Sequence, residues 1–481
     1  MKTPKQHQKE ARKWLTKRRF GILGDDMGLG KTYSAIITLR RLLKQKLTKQ
    51  VLIIVPANLL DNWVEEFEDA TRIKPYVYHG ARRSINKARE SKVILTSYGI
   101  ILNDAPKFNV GFKKRMTVIL DEGHKIKGRD KATTMAVKSI KSDLRYILTG
   151  TPIQDNPSDL WSLLHFLNPE VSGTAQEWDT RYVKFIMTVI RTRYKGEIMI
   201  PKAAGVKPGA IGELNRLLAR HMLRRTKDEC VDIPPKTVYY EAYPLDHKTK
   251  DLYSLVCSEY MGYASISRVL TRLAQCLSGL VKSGIDDEEE GTTVTASFYK
   301  SAKQKYLEEK LEGLSGRVIV WFRYAETMWH IAKTIKQDVY AFDGQTRNQT
   351  QIIRAWKESK NGVLFATIRA GGTGLNLTEA NYSIFYEMDF VPAHNEQAED
   401  RIYRIGQKNK TTIYYLYAKD TVEEAIVNLV RAKSKLNKAI VQGGAKKKTL
   451  EYLYNKTFSL FGHDNPEVRQ AQFKRYLRLE D

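Results

Sequence analysis

Few segments constrain a fold as tightly as a glycine-rich turn set between an apolar strand and an apolar-periodic helix. Residues Gly24-Asp25-Asp26-Met27-Gly28-Leu29-Gly30-Lys31-Thr32 follow Phe20, Ile22 and Leu23, and precede Ile36, Ile37, Leu39, Leu42 and Leu43. The spacing predicts a strand, a tight loop and a helix whose positive end faces the loop. Glycines let backbone N–H groups close around phosphate oxygens. Lys31 would reach the β- and γ-phosphates, and Thr32 would offer a hydroxyl to Mg²⁺. Counting back from Gly30-Lys31, the slot of the first glycine holds Asp25, a departure from the strict pattern.

The 481 residues suffice for about two to four domains, each with its own core. A hydrophobic content of 42% suits a globular chain, and no run approaches the ~20 apolar residues of a membrane span. Charges near Met1 are not followed by an apolar core, so no secretory signal is read there. Cys230, Cys257 and Cys276 are widely spaced and fit neither a disulfide framework nor a zinc site; they read as reduced, structural residues. Lys and Arg number 80 against 54 Asp and Glu, a formal charge of +26 spread along the chain. Such a surface attracts polyanions, with nucleic acid the default partner and a merely solvated basic surface the alternative.

Short apolar runs alternate with helical patterns, the mark of parallel α/β architecture. In the first half the runs are Val51–Val55, Val93–Thr96, Val118–Leu120 and Tyr146–Leu148; in the second they are Val318–Phe322, Val363–Ala366, Tyr382–Tyr386 and Ile413–Leu416. Between them the chain reads as helical over Leu160–Leu167, Ile211–Leu223 and Leu252–Val281. A loop is expected near Pro201–Pro208, and a solvated acidic loop at Asp286–Glu290. The predicted division is 1–155, an α/β lobe; 156–300, a helical insert and linker; 301–442, a second α/β lobe; and 443–481, a basic helical tail.

Two further constellations carry chemistry. Val118-Ile119-Leu120-Asp121-Glu122-Gly123-His124 delivers adjacent carboxylates at the end of an apolar strand. Downstream of a phosphate loop, the first suits Mg²⁺ and the second suits an attacking water. In Gln397-Ala398-Glu399-Asp400-Arg401-Ile402-Tyr403-Arg404-Ile405-Gly406-Gln407, the two arginines are three apart, so on a helix they share a face. Paired guanidinium groups suit the charge that shifts on a γ-phosphate during transfer.

The order of motifs resembles helicase superfamily two, and within it the Swi/Snf branch of ATP-driven duplex-DNA translocases. The resemblance rests on Asp25–Thr32; Pro56 through Trp63 to Phe67; Thr96-Ser97-Tyr98; Asp121 to Lys127; Leu148 to Gln154; Leu223-Arg224-Arg225-Thr226-Lys227; Ala370 to Leu377; and Gln397 to Gln407. It covers residues 1 to roughly 440. It implies two RecA-like parallel-sheet lobes, ATP and Mg²⁺ as ligands, double-stranded DNA as partner and ATP hydrolysis as the activity.

Roles carry over residue by residue. Gln8 corresponds to a glutamine that reads adenine. Gly28, Gly30, Lys31 and Thr32 bind phosphate, with Thr32 and Asp121 at the metal. Glu122 activates water. His124, Thr149, Gly150 and Thr151 couple nucleotide state to DNA. Gly371, Gly372 and Gln397 complete the nucleotide site from the second lobe, and Arg401 and Arg404 are arginine fingers. Pro56, Ala57, Thr96, Ser97 and Asn376 would lie near the DNA backbone, where short polar side chains and loop N–H groups grip phosphate without reading sequence.

The chain departs from the family pattern in places. Gly123 stands where alanine is usual, a small-for-small change. Gln154-Asp155-Asn156 replaces Gln-Asn-Asn, Thr367-Ile368-Arg369 replaces a Thr-Lys lead, and Asp389-Phe390-Val391-Pro392 replaces Asp-Trp-Asn-Pro, which alters a second-lobe surface contact. No appended chromatin-reading module, zinc finger or nuclease motif is visible. The expectation is a bare, monomeric motor without membrane or zinc, cytoplasmic in a bacterial or phage setting and nuclear in a eukaryotic one. The alternative activity is a fork- or junction-remodelling helicase that anneals or branch-migrates DNA.

Overall fold

The computed structural model describes residues 3–112, 115–152, 157–192, 196–260, 266–283, 295–371 and 375–442. They fall into two compact units, one built on the chain up to Asp232 and one running from Ile233 to Ala432.

In the first unit the strands are β1 (Phe20–Leu23), β2 (Gln50–Val55), β3 (Tyr76–Val77), β4 (Val93–Ser97), β5 (Met116–Asp121), β6 (Leu144–Leu148), β7 (Val183–Thr192), β8 (Gly196–Val206) and β9 (Met222–Leu223). Seven of them form one sheet in the order β3-β4-β2-β5-β6-β1-β9, and every pairing is parallel. A parallel sheet is covered on both faces, which is why β2, β4 and β5 read as unbroken apolar runs. Side chains alternate between faces. Leu52, Ile54, Val118 and Leu120 enter one core layer, while Val51, Ile53, Val55 and Ile119 enter the other. All strands therefore end along one edge, the place where such sheets hold ligands. β7 and β8 form a separate antiparallel ribbon.

The second unit repeats the plan with β10 (Lys236–Tyr243), β11 (Leu280–Ser283), β12 (Thr295–Phe298), β13 (Val318–Phe322), β14 (Val339–Phe342), β15 (Val363–Thr367), β16 (Tyr382–Phe385) and β17 (Thr411–Ala418). Its six-stranded sheet has the order β10-β17-β16-β13-β15-β14, again parallel throughout. Val318, Val320 and Phe322 face one layer, Ile319 and Trp321 the other.

The stretch expected as a helical insert is shared out between the units. Helices Pro157–Leu167 and Ile211–His221 belong to the first unit, and helices His247–Tyr260 and Ile266–Leu277 to the second. Within that stretch β9 adds an edge strand to the first sheet and β10 one to the second; both are short or at an edge, so neither carries a long apolar run. The loop expected near Pro201–Pro208 is instead mostly β8, which runs through Pro201 to Val206. A two-stranded ribbon has open edges, and there proline's missing N–H costs no ladder hydrogen bond. The acidic run Asp286–Glu290, Gln154-Asp155-Asn156 and the tail from 443 onward lie outside the described residues. Among the described residues no helix is long and apolar enough to cross a membrane.

A buried carboxylate fixes the β3–β4 side of the first unit. Asp104 ends the helix Tyr98–Asp104 and is 3% exposed. It accepts hydrogen bonds from Tyr78 OH at 2.8 Å and Arg83 Nε at 2.7 Å, and from Lys107 Nζ at 2.7 Å. Burial alone would raise its pKa, but the bonds from Arg83, Lys107 and Tyr78 outweigh it and hold the carboxyl at about 2. Because the folded value lies below the unfolded one, near 3.9, the contribution is complete above that value and is lost as pH falls towards the folded pKa. Asp104→Asn is expected to cost on the order of 2 kcal/mol in urea unfolding at neutral pH. Its gap from wild type should close between about pH 5 and pH 2; a gap constant over that range would contradict this account.

Candidate nucleotide site

The phosphate loop leaves β1 and enters the helix Lys31–Lys44. Gly30 caps that helix in the left-handed region, φ 76°, and Gly28 sits at φ 83°. A side chain at Gly30 would be excluded twice over, since its Cβ would lie 2.7 Å from Gln8 Nε2. Lys31 folds back over the loop, its Nζ donating to Asp25 O at 2.8 Å and Asp26 O at 3.3 Å. Burial lowers its pKa, against the pull of Glu122, Asp25, Asp121 and Asp26. Thr32 is half-buried in the first helical turn. An ammonium, a run of loop amides and a helix N-terminus thus converge on one spot, which fits a nucleotide phosphate.

The expected partners lie around that loop. In the helix Gln6–Thr16, Gln8 Nε2 donates to Leu29 O at 3.4 Å, and its Oε1 accepts from Lys5 N at 2.9 Å. His7 Nε2 also bonds Leu29 O, at 2.9 Å. Asp121 closes β5 and is 7% exposed. Its Oδ2 accepts the Trp63 indole N–H at 2.7 Å, and its Oδ1 accepts Glu122 N at 2.9 Å. Tyr98 OH donates to the Asp121 carbonyl at 2.7 Å. Burial, then repulsion from Glu122, raises the Asp121 pKa, while the Trp63 bond opposes the rise. A divalent cation would reverse that balance, and two adjacent carboxylates beside an ammonium suit one.

Glu122 adopts φ 49°, ψ 51°, a left-handed conformation that glutamate seldom takes. Held strain of this kind clusters at functional sites. His124 Nδ1 lies 3.2 Å from Glu122 Oε2. Gly123 is more than a small-for-small exchange: a Cβ there would lie 2.3 Å from Ile147 Cγ2. The alanine usual in the family would force Ile147 to move.

The turn Thr149-Gly150-Thr151 is buried against the loop. A Cβ on Gly150 would stand 2.9 Å from Met27 Cγ and 3.4 Å from Lys31 Nζ. Thr151 N bonds Thr149 Oγ1 at 3.2 Å, and the buried Thr151 hydroxyl has no hydrogen-bond partner among the described residues.

Arg224 and Arg225 have structural roles that their position in a motif did not reveal. They follow β9, whose Leu223 carbonyl accepts Gly24 N at 2.7 Å. Arg224 Nη1 donates to Gly24 O at 2.9 Å and Gly150 O at 3.0 Å, and its Nη2 to Asp26 Oδ1 at 2.9 Å. Arg225 grips Asp25 with both arms, Nη2 to Oδ2 at 2.5 Å and Nε to Oδ1 at 3.1 Å. It also donates to the His7 carbonyl. Asp25, 1% exposed, is therefore an anchor of the loop, and no glycine could serve in its slot.

The DNA-contact candidates of this unit are placed unevenly. Pro56 is buried and Ala57 is exposed. Thr96 is fully buried and donates its hydroxyl to Tyr78 O at 2.8 Å; Ser97 Oγ lies 3.2 Å from His79 Nδ1. Alternation along β4 points Thr96 inward, so its hydroxyl is not presented to a phosphate.

In the second unit Gly371 ends the short helix Ile368–Gly371, and a Cβ there would lie 2.2 Å from Trp321 Cζ3. Gly372 lies outside the described residues. Gln397, in the helix Pro392–Glu399, is buried, and its Nε2 has no hydrogen-bond partner among the described residues. That helix stops at Glu399, so Arg401 and Arg404 do not share a helical face. They converge by another route: Arg401 Nη1 and Arg404 Nη1 both donate to Leu375 O, at 3.3 and 3.0 Å. The turns following Glu399 release the chain from helical periodicity while keeping both guanidinium groups together. Asn376, next in sequence to Leu375, is exposed. The replacement Phe390 keeps an aromatic face, on which the Arg323 guanidinium lies 3.6 Å from the ring centroid.

The parallel sheets and the loop-centred cluster define the class, an α/β protein with a phosphate-binding loop at the end of a sheet strand. A family model for the SNF2-related domain matches residues 7–283, and one for the helicase conserved C-terminal domain matches residues 302–406. The chain belongs to the SNF2-related family. It is 29% identical over 461 residues to an uncharacterized ATP-dependent helicase of Mycoplasma genitalium, covering 90% of this chain and 42% of that protein. It is also 29% identical to the putative ATP-dependent helicase/translocase YwqA of Bacillus subtilis, covering 92% and 49%. The chain thus spans less than half the length of these relatives. Among solved structures, the Sulfolobus solfataricus SWI2/SNF2 ATPase core in complex with dsDNA is similar at 24% identity and TM-score 0.43, covering 95% of this chain and 97% of that one.

Arg225→Ala would leave Asp25 buried without its partner, a loss of roughly 3–5 kcal/mol. Asp25→Ala with Arg225→Ala should recover much of that in thermal or urea unfolding, since both charges are then gone. Additive losses in the double variant would show that the pair does not act as a clasp.

Proposed function

We propose that the protein is a DNA-dependent ATPase that moves along double-stranded DNA, coupling ATP hydrolysis to remodelling of DNA or of protein on DNA. The observation that carries this reading is the gathering of Lys31, Asp121, Glu122 and the Thr149–Thr151 turn around one phosphate loop, in a chain of the SNF2-related family. The formal charge of +26 supports a polyanionic partner.

Each residue has a defined task in the proposed reaction. Lys31 leaves the carbonyls of Asp25 and Asp26 and neutralises the β- and γ-phosphates. Thr32 and Asp121 would hold Mg²⁺, which would offset charge on the phosphate oxygens when bound. Glu122 orients a water and takes its proton as the water oxygen bonds to the γ-phosphorus and the bond to the β,γ-bridging oxygen breaks. Arg401 and Arg404 answer the charge that develops during transfer. Gln8 reads the adenine edge, for which it exchanges its bond to Leu29 O. His124 and the Thr149–Thr151 turn sense the γ-phosphate and pass its loss to the DNA-gripping loops, a two-state switch biased by ligand.

Arg401→Ala and Glu122→Gln are each expected to keep binding a fluorescent ATP analogue while losing roughly 10³-fold in turnover. Normal DNA-stimulated phosphate release in Arg401→Ala would overturn the finger assignment. Movement along intact duplex predicts displacement of a triplex-forming third strand without separation of the duplex. Strand separation or branch migration with no triplex loss would favour the fork- or junction-remodelling alternative.

A further inference from the structure

Two turns at the strand ends reach the metal-binding carboxylate directly. After β2, the turn beginning at Pro56 and Ala57 runs into the helix Leu60–Thr71, which carries Trp63. β4 ends on Thr96 and Ser97, which lead straight into the helix Tyr98–Asp104. Trp63 and Tyr98 are 1% and 7% exposed, so each is fixed by packing. Both spend their polar atom on one residue: the indole N–H bonds Asp121 Oδ2, and the phenol bonds the Asp121 carbonyl, each at 2.7 Å. Since Glu122 N holds Oδ1, the Trp63 bond settles the rotation of the carboxylate. Outer-shell donors of this kind orient a metal ligand and tune its affinity. Meanwhile Ala57, in the turn after β2, and Gly99, in the first turn of the helix after β4, are exposed.

We infer that Trp63 and Tyr98 are positioning residues that report the occupation of the two turns by a DNA backbone to Asp121, and so make nucleotide turnover DNA-dependent. The inference rests on the function proposed above. Hydrogen bonds weaken steeply with distance and angle, so a small shift of either turn changes how firmly Asp121 is aimed. The path is short and wholly within one unit, and each ring bonds Asp121 itself. It also assigns work to two aromatic residues whose size alone would mark them as core.

The test uses Trp63→Phe and Tyr98→Phe, which delete one donor each; Tyr98→Phe keeps the ring, and Trp63→Phe keeps a smaller aromatic ring in its place. Tyr146→Phe is the matched control, since its buried phenol donates to the Arg18 and Leu15 carbonyls and not to Asp121. The ratio of phosphate release with and without duplex DNA should fall by roughly 3- to 30-fold in both variants and stay unchanged in the control. That ratio does not depend on how much of the sample is folded. A second readout needs no turnover: Mn²⁺ titrated into the protein with a non-hydrolysable ATP analogue, followed by electron paramagnetic resonance. Mn²⁺ should bind roughly tenfold more weakly in Trp63→Phe, and duplex DNA should tighten Mn²⁺ binding in wild type but not in either variant. A wild-type ratio in both variants, with Mn²⁺ binding still tightened by DNA, would overturn the inference alone. A wild type that duplex DNA does not stimulate would overturn the function it rests on as well.

Discussion

Asp25 is a carboxylate with almost no exposure, and the two-armed grip of Arg225 is what allows it to be there. Much of the first unit's site hangs on that pair. A buried charge left alone is costly, so Asp25 and Arg225 must stay together whenever the unit is folded. Through Arg225 the loop is tied to the Gln8 helix at His7 O, and through the neighbouring Arg224 to Gly24, Asp26 and Gly150. The strand that delivers both arginines is only β9, Met222–Leu223, docked beside β1. Three separate stretches of sequence are thereby held around one phosphate cradle before any nucleotide arrives. Preorganised donors of this kind cost no rearrangement at the moment of reaction.

The same logic explains the apparent flaw in the loop. A phosphate loop uses glycine where backbone must approach ligand, and this chain keeps glycine at Gly28 and Gly30, where φ is positive. The earlier slot instead needs an anchor, and a carboxylate supplies it. Lys31 is held by the carbonyls of the two anchored residues, so its resting position is set by the clasp. On the opposite side of the site, Trp63 and Tyr98 fix Asp121 in the same manner, by short bonds from buried rings. The loop and Asp121 are each positioned by side chains from neighbouring elements.

How far the sequence could be read follows from how local each feature is. The phosphate loop and Asp121-Glu122 are contiguous, and their flanking apolar runs announce the strands that carry them. The parallel sheets were legible for the same reason, since strands buried on both faces are uninterrupted apolar runs. The Arg225–Asp25 clasp spans 200 residues, and only the folded sheet brings its halves together. Helical spacing placed Arg401 and Arg404 on one face, but the helix ends at Glu399 and their convergence comes from the shared Leu375 carbonyl. Thr96 enters as a DNA-backbone residue through the family resemblance, whereas its buried hydroxyl is spent on Tyr78 O. Pro201 marked a loop because proline breaks interior strands, and β8 escapes that rule by being one of only two strands in its ribbon.

The central claim is that a duplex-DNA backbone switches on ATP hydrolysis at this site. The most direct measurement is the steady-state rate of phosphate release from ATP with no nucleic acid, with duplex DNA, with single-stranded DNA and with RNA, at matched nucleotide concentration and low salt. Duplex DNA should give the largest stimulation, and that stimulation should fall steeply as salt is raised, as binding through backbone phosphates requires. A rate indifferent to every polymer, or raised by RNA and not by duplex DNA, would contradict it.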